Sequence, residues 1–333
     1  MKAAILSALL LAALPAGWVA PADASPGWAE RLEFLGREYV RLPDWAKANG
    51  FDLQWLKKDE TLQLASRSLK LVFMADSKEA EINGVNVWLS YPIARRNGSF
   101  YISELDLRST VNPLRFPPKD RGSGRIKNIV IDPGHGGKDP GNQDGPRQEK
   151  KYTLLLAQEL RDQLKRAGFN ATLTRATDSF IELPDRPDIA NRRGADLFIS
   201  LHWNSVSAGK NEVKGVETYC LTPAGAPSTN ARGELGDAGS KPGNRHNEKN
   251  IFLAYEIQKA LVRTLPAEDR GVHRARFAVL RDAQMPALLI EGGYMSHPAE
   301  SRRIYDPAYR RQMAQAIMNG IQAYTRQVEA VKE

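Results

Sequence analysis

Beyond residue 125, the chain alternates between short, continuously apolar runs and longer segments whose apolar residues recur at helical spacing. The short runs are typical of buried β-strands, and the longer segments predict amphipathic helices. This alternation predicts an α/β fold in which a mixed twisted sheet is flanked by helices. The predicted strands cover residues 128–132, 171–175, 197–202, 215–221 and 287–291, and the predicted helices cover residues 149–167, 185–193, 250–265 and 307–331.

The portion before residue 116 has a different pattern, in which short β-like segments are separated by turn signals. Asn83-Gly84 and Asn97-Gly98 are typical of tight turns between strands. We therefore predict a small α+β domain over residues 36–115. Its predicted strands cover residues 38–41, 61–64, 69–73 and 85–89, and a short predicted helix covers residues 43–49.

Residues 116–125 separate these two parts of the chain. Proline, glycine and charged residues dominate this stretch, and such a composition predicts a linker. We accordingly expect residues 126–333 to form a second domain that carries the functional site, and we expect residues 122–333 to fold on their own.

The first 24 residues have the pattern of a secretory signal peptide. Lys2 precedes an apolar run that is too short to span a bilayer, and Ala22-Asp23-Ala24 fits the cleavage pattern of small residues. We therefore expect an exported protein, periplasmic or extracellular and associated with the cell wall, whose mature chain begins at Ser25. No later segment is apolar and long enough to predict a transmembrane helix.

The composition is that of an ordinary globular protein, with 42% hydrophobic and 26% charged residues. A net charge of +8 suits anionic surroundings such as a nucleic acid, a membrane surface or an acidic wall polymer. No basic run with interleaved aromatic residues is present, so we do not expect a nucleic-acid partner. Cys220 is the only cysteine, which excludes an intramolecular disulfide.

Candidate catalytic side chains stand where predicted strands end. His135 and His202 follow two apolar runs, and Glu291 ends a third. Ligands of α/β sheets gather at such strand ends. Glu149 opens a helix on the same face as Leu156, so its carboxylate either points inward to a metal or complements the helix dipole. Two histidines and a carboxylate suit a catalytic zinc, and a further glutamate can act as base.

The other histidines give weaker signals. His297 begins an H-x-x-E sequence, but no histidine follows it, so a second metal site is not expected. His246 lacks the cysteine pair of a zinc deaminase. We expect His273 at the surface or beside the substrate. Residues 222–249 form a polar insertion, rich in glycine and proline, that predicts an ordered loop or a flexible flap; Glu234, Asp237 or Glu248 within it are minor candidates for a metal contact.

Six segments in a fixed order resemble one known family. They are Asp132 to Gly137 after a strand, Glu149-Lys150 before a leucine-rich helix, Arg175 to Asn191 with Asp178, Leu183 and Arg186, Ser200-Leu201-His202-Trp203-Asn204, Gly215-Val216-Glu217-Thr218, and Pro286 to Ser296. With them, residues 126–327 resemble the zinc-dependent N-acetylmuramoyl-L-alanine amidases whose domain is labelled amidase type 3.

This resemblance implies one zinc per chain, with His135, Glu149 and His202 as its ligands and Glu291 as the catalytic carboxylate. It also implies peptidoglycan as the partner, with cleavage of the amide between N-acetylmuramic acid and L-alanine. Such an activity serves cell-wall remodelling or daughter-cell separation. A zinc peptidase acting within the stem peptide and a catalytically dead wall-binding protein are the alternative functions.

Two departures from the family pattern lie beside these residues. Trp203 stands where the family usually has a small residue, and Gly292-Gly293 replaces a more usual Thr-Gly. Because they adjoin the predicted site, both departures bear on how the substrate fits. We predict Trp203 and Asn204 as substrate-binding residues.

Residues 36–115 resemble, more loosely, the small domain named after the N-terminal domain of copper amine oxidases. We see no copper ligand set in them and expect a packing or targeting role, in which the domain docks the enzyme in the wall or binds an activator. The matching features are Tyr39-Val40-Arg41-Leu42, Gly50 with Trp55, Ile82-Asn83-Gly84 and residues 102–105.

Overall fold

The computed structural model describes residues 29–120, 124–230 and 239–329. The predicted signal peptide, residues 1–24, lies outside the described residues. Among the helices of the described part, none combines the length and the apolar character that a membrane crossing requires.

The N-terminal part consists mainly of β-strands joined by tight turns. Its first, second, ninth and eighth strands form an antiparallel sheet in that order. A π-helical turn, Leu107–Val111, separates the last two short helices. The strands are β1 (Arg31–Phe34), β2 (Arg37–Arg41), β3 (Asp52–Lys57), β4 (Thr61–Ala65), β5 (Lys70–Met74), β6 (Glu79–Ile82), β7 (Val85–Trp88), β8 (Ala94–Arg96) and β9 (Ser99–Ser103), and the helices are α1 (Leu42–Ala48), α2 (Glu104–Asp106) and α3 (Asn112–Arg115).

The C-terminal part has the predicted alternation of strands and helices. The strands are β10 (Asn128–Pro133), β11 (Gln143–Asp144), β12 (Arg147–Gln148), β13 (Asn170–Leu173), β14 (Leu197–Asn204), β15 (Val216–Leu221), β16 (Asp269–Ala275) and β17 (Ala287–Tyr294). The helices are α4 (Glu149–Arg166), α5 (Asp185–Arg192), α6 (Asn247–Thr264), α7 (Ala278–Arg281), α8 (Pro298–Tyr305) and α9 (Pro307–Val328), with a 3₁₀ turn, Pro242–His246, before α6.

Eleven strands form one mixed sheet in the order β13-β10-β14-β17-β15-β16-β7-β6-β5-β4-β3. Within its C-terminal half, β17 and β15 are antiparallel, whereas the other neighbouring pairs are parallel. Ile129 and Ile131 belong to the core cluster that includes residues of α4, α6 and α9, whereas Val130 belongs to a second cluster with residues of α5 and α7. The predicted α/β architecture, a mixed sheet flanked by helices, is confirmed.

Strand β16 was not predicted, because charged residues interrupt its sequence. The structure buries Arg274 completely and gives it partners: its side chain is 0% exposed, and its guanidinium donates to the backbone oxygens of Leu221 and Ser109. A buried arginine is tolerated when its guanidinium has hydrogen-bond partners, whereas a buried arginine without partners is costly. Periodicity of apolar residues therefore could not identify this strand.

The two predicted domains share the large sheet. Strand β7 pairs with β16 in parallel, with Val87 opposite Val272. The backbone N–H of Asn86 donates to Asp269 Oδ2 at 2.8 Å, and Tyr255 Oη donates to the backbone oxygen of Ile82 at 3.1 Å. The main core cluster also contains residues of both parts. The linker boundary thus does not interrupt the sheet, and independent folding of the C-terminal part stays a prediction.

The predicted linker packs against the last helix. The backbone N–H of Asp120 donates to the backbone oxygen of Val328 at 2.9 Å, and that of Ile126 donates to Glu329 Oε1 at 2.8 Å. Residues 121–123 lie outside the described residues. Asp120 within the linker and Ile126 directly after it are therefore held at the C-terminal end of α9.

The junction between β7 and β16 predicts a stability effect. A Cβ on Gly271 would lie 2.8 Å from the backbone oxygen of Asn86, and the φ angle of Gly271 is +93°. Gly84, in the turn before β7, also has a positive φ, +77°, but nothing lies within 4 Å of its Cβ position. We expect Gly84→Ala to cost about 1–2 kcal/mol of unfolding free energy and Gly271→Ala to cost about 1–3 kcal/mol more. Denaturant unfolding measures both, and equal losses would contradict the tight junction.

Candidate active site

Three predicted side chains converge at the ends of neighbouring elements. His135 follows β10, Glu149 opens α4 and His202 lies in β14. The Nε2 atom of His135 lies 3.0 Å from Glu149 Oε1, and the Nδ1 atom of His202 lies 3.1 Å from the same oxygen. One ligand atom from each residue lies within 4.8 Å of the other two. The carboxylate of Glu149 is 1% exposed, so it points inward.

Burial and charge act in opposite directions on this group. Burial raises the pKa of Glu149, but the hydrogen bonds to His135 and His202 outweigh burial and hold the pKa well below its ordinary value. Burial also lowers the pKa of His135, and the contacts with Glu149 and Asp139 reverse that shift and raise it. The Glu149 carboxylate is therefore an anion that lies between the ring nitrogens of His135 and His202.

Further contacts orient the side chains of His135 and Glu149. Asp139 Oδ2 lies 2.8 Å from His135 Nδ1, and Asn142 donates to Glu149 Oε2 through its backbone and side-chain nitrogens, both at 2.9 Å. The sequence analysis missed both residues. The carboxylate four positions after His135 was the available signal, because a carboxylate often binds the second nitrogen of a metal-binding histidine.

Buried arginines hold the loop that carries His135. The guanidinium of Arg186 donates to the backbone oxygen of His135 at 2.9 Å, and that of Arg175 donates to the backbone oxygen of Gly134 at 2.8 Å. His135 itself has a φ of 62°, a conformation that non-glycine residues rarely adopt. A Cβ on Gly134 would overlap the imidazole of His202. The loop thus needs glycine here for the two histidines to approach.

Glu291 lies in register with the metal-ligand candidates. On β17 it pairs with His202 of β14 on one side and with Glu217 of β15 on the other. Paired residues of neighbouring strands present their side chains on the same face. The Glu291 side chain is partly exposed, whereas its Oε2 is buried and has no hydrogen-bond partner among the described residues. Burial, with the nearby charges of Glu149 and Glu217, raises the pKa of Glu291 well above its ordinary value.

Glu217 is a second buried carboxylate that the sequence analysis did not assign to a role. It is 2% exposed, and its Oε1 accepts from Asn204 Nδ2 at 2.6 Å and from Tyr294 Oη at 3.2 Å. Its Oε2 accepts from Arg270 Nε at 3.1 Å. A glutamate within an otherwise apolar strand was the available signal, because a buried carboxylate requires partners.

The two predicted substrate-binding residues have different surroundings. Asn204 is partly exposed and contacts Glu217 as described. The Trp203 side chain is 0% exposed, and only its backbone reaches the site, where its N–H donates to Glu149 Oε1 at 3.0 Å. Strand β14 therefore turns the Trp203 ring into the core, and a role of this residue in substrate binding stays a prediction.

The remaining candidates lie outside this cluster. His273 is 7% exposed, so the prediction of a surface position is wrong. His297 caps α8, where its Nδ1 accepts from the backbone nitrogens of Ala299 and Glu300. Glu248 lies in the first turn of α6, while Glu234 and Asp237 lie outside the described residues. Within the described part of the chain, no other three histidine, cysteine or acidic side chains converge in this way.

The two departures from the family pattern fit each other. A Cβ on Gly292 would lie 2.7 Å from Cζ3 of the Trp203 ring and 2.9 Å from Met313 Sδ. The large indole thus fills the space that a side chain at position 292 would occupy. The two positions adjoin His202 and Glu291, so their packing supports both strands of the site.

This fit predicts a coupled pair of substitutions. We expect Gly292→Thr to cost about 1–3 kcal/mol of unfolding free energy, because the added atoms overpack the core. Trp203→Leu opens that space, so the double variant should be more stable than the two single losses predict, by about 0.5–3 kcal/mol. Denaturant unfolding of the four proteins gives the coupling, and strictly additive losses would contradict the contact.

Residues 129–323 match the model of the Amidase_3 family, described as N-acetylmuramoyl-L-alanine amidase. The chain is 34% identical over 243 residues to the N-acetylmuramoyl-L-alanine amidase AmiC of Neisseria meningitidis serogroup B. The matched region covers 66% of this chain and 57% of AmiC. It is 32% identical over 231 residues to the amidase AmiA of Escherichia coli K12, which covers 62% of this chain and 79% of AmiA.

Solved amidase structures share the fold. The amidase AmiC2 of Nostoc punctiforme has a TM-score of 0.51 and 33% identity, over 61% of this chain and 99% of that chain. The catalytic domain of the amidase CwlV of Paenibacillus polymyxa has a TM-score of 0.50 and 30% identity, over 60% of this chain and 98% of that chain. Since the family model matches more than half of its residues, the chain belongs to the Amidase_3 family of enzymes, the N-acetylmuramoyl-L-alanine amidases.

Proposed function

We propose that this chain is a zinc-dependent hydrolase that cleaves the amide between N-acetylmuramic acid and L-alanine in peptidoglycan. The convergence of His135, Glu149 and His202 within 4.8 Å, beside Glu291, carries the proposal. Membership of the amidase family supports the same reaction and the same substrate.

The three residues fit zinc by the chemistry of their ligand atoms. Two imidazole nitrogens and one carboxylate oxygen form a ligand set of catalytic zinc sites, which leaves a coordination position for the reaction. The carboxylate is buried and anionic, and a dication would compensate its charge. Asp139 supports His135 as metal-site carboxylates do. His135, Glu149 and His202 would therefore hold one zinc per chain.

A bound zinc would supply Lewis acidity, which lowers the pKa of water and polarises the substrate carbonyl. The proton transfers belong to the protein. Glu291 has a raised pKa and a buried Oε2 without a hydrogen-bond partner among the described residues. It takes a proton from the attacking water and passes that proton to the nitrogen of the leaving alanine. Asn204, next to the Glu217 carboxylate, contributes a polar group at the site for the substrate.

The biological setting follows from the sequence and the reaction together. An exported enzyme with this activity would act on the wall in the periplasm or outside the cell, in wall remodelling or daughter-cell separation. The predicted signal peptide at residues 1–24 supports export. Three features of residues 36–115 stay predictions. They are the likeness to the copper amine oxidase N-terminal domain, the binding of an activator or docking protein through these residues, and their boundary as a domain.

The proposed zinc ligand set predicts how histidine substitutions change zinc content and activity. His135→Ala and His202→Ala should each lose the bound zinc and the activity, because each removes one of three ligands. His297→Ala is the matched control, since His297 caps α8 outside the cluster. Elemental analysis should find one zinc per chain in the parent and in the control. A full zinc content in either ligand variant would exclude that histidine from the ligand set.

The catalytic carboxylate predicts a different outcome. Glu291→Gln should retain zinc and fold but lose about 100-fold or more in turnover, because the amide cannot accept the proton. Mass analysis of digested peptidoglycan should show that the parent releases stem peptides with an alanine amino terminus. Cut cross-links would instead indicate the stem peptidase, and an unchanged wall would indicate a dead wall-binding protein. Loss of zinc in Glu291→Gln would make Glu291 a ligand.

A further inference from the structure

We propose that Trp88 is a positioning residue of the active site, although it lies in the N-terminal part of the chain. Through Arg270 and His273 of β16, it holds the Glu217 carboxylate opposite Glu291. Strand β7 is thereby a component of the amidase site. This inference rests on the proposed function only for the role of Glu291. The family model begins at residue 129, so β7 lies outside the part that the family shares.

The first step is the contact between Trp88 and β16. The indole Nε1 donates to the backbone oxygen of Arg270 at 3.0 Å. The indole ring also stacks on the imidazole of His273, with centroids 5.0 Å apart and planes at 22°. Tyr219 stacks on His273 at the same centroid distance, with planes at 26°. The indole therefore fixes both the backbone and a buried side chain of β16.

The second step leads from β16 to Glu217. Arg270 Nε donates to Glu217 Oε2 at 3.1 Å, and the Arg270 guanidinium lies 5.3 Å from the centroid of the Tyr294 ring. The His273 Nε2 atom is 3.5 Å from Glu217 Oε2. Trp88 contacts both Arg270 and His273, which approach this oxygen. Arg270 also compensates a carboxylate that is 2% exposed, and such a buried charge needs a partner.

The third step leads from Glu217 to Glu291. The two residues are direct partners in the antiparallel pair of β15 and β17. Directly opposed side chains lie close enough to interact across strands. The other oxygen of Glu217 accepts from Asn204 and Tyr294, which line the same end of the sheet. A displaced Glu217 would therefore alter the position of Glu291 and the polar groups around it.

Tryptophan substitutions in the full chain separate positioning from general stability. Trp88→Ala removes both contacts, whereas Trp88→Phe keeps an aromatic ring to stack on His273. Trp55→Ala is the matched control, because Trp55 is also partly buried but lies on β3 at the far edge of the sheet. We would measure kcat and KM on a soluble muropeptide, the zinc content, the midpoint of thermal unfolding, and hydrogen exchange in residues 216–221.

We expect Trp88→Ala to lower kcat by about 10- to 100-fold, since small displacements of catalytic groups have effects of this size. Its zinc content should stay at one per chain, its KM should change less than its kcat, and residues 216–221 should exchange faster. Trp88→Phe should recover most of kcat. Trp55→Ala should lower the thermal midpoint while its kcat and the exchange of residues 216–221 match the parent.

Two results with the tryptophan variants would overturn the proposal. One is a parental kcat and parental exchange in Trp88→Ala, and the other is an equal loss of kcat in Trp55→Ala. If Trp88→Ala does not fold, Glu217→Gln tests the proposal instead, because this substitution keeps the size of the side chain. An unchanged kcat in Glu217→Gln also overturns the proposal. Activity of the parent tests the proposed function, whereas the exchange of residues 216–221 tests the positioning even without turnover.

Discussion

The buried carboxylate of Glu149 is the constraint on which the site depends. A carboxylate that is 1% exposed is costly unless charged or hydrogen-bonding groups surround it. Here it meets the imidazoles of His135 and His202, the backbone N–H of Trp203 and both nitrogens of Asn142. These contacts connect β10, β14 and the start of α4. One ionised group thus organises the loop, the helix and the strand that form the candidate zinc site.

The buried carboxylate of Asp132, in the strand that leads to His135, is likewise surrounded by hydrogen-bonding groups. Asp132 is 0% exposed and accepts from Arg186 at 3.0 Å, from Thr174 at 2.6 Å and from Ser200 at 2.9 Å. Arg186 also donates to the backbone of His135. The loop that carries this histidine is therefore held by side chains from elements far apart in sequence. Such support keeps a candidate metal ligand in place while its backbone adopts an uncommon conformation.

The sheet extends this organisation from the catalytic part into the N-terminal part. Glu291 stands between His202 and Glu217 in one row across three strands, and β16 and β7 continue the sheet beyond them. The row brings a candidate metal ligand, a candidate base and a charge-compensated carboxylate to one face. Because Trp88 contacts the strand next to Glu217, the N-terminal part connects physically with the catalytic face.

The sequence by itself determined the fold class and most helices and strands of the C-terminal part, and it predicted the residues of the candidate site. Periodicity was sufficient because those strands are mainly apolar and α4 has one apolar face. His135 and His202 could be proposed because they end apolar runs, and strand ends gather at one edge of a parallel sheet. For Glu149, the pattern left the metal ligand and the helix-dipole roles equally open.

Tertiary structure decided what depends on partners distant in sequence. Burial with bonds to two histidines turned Glu149 inward, and the register of β15 with β17 placed Glu217 opposite Glu291. Strand β16 escaped prediction because its charged residues find their hydrogen-bond partners only among groups brought together in the fold. The linker composition suggested two separate domains, but composition records local flexibility and not strand pairing. The pairing of β7 with β16 arises only when both halves of the chain have folded against each other.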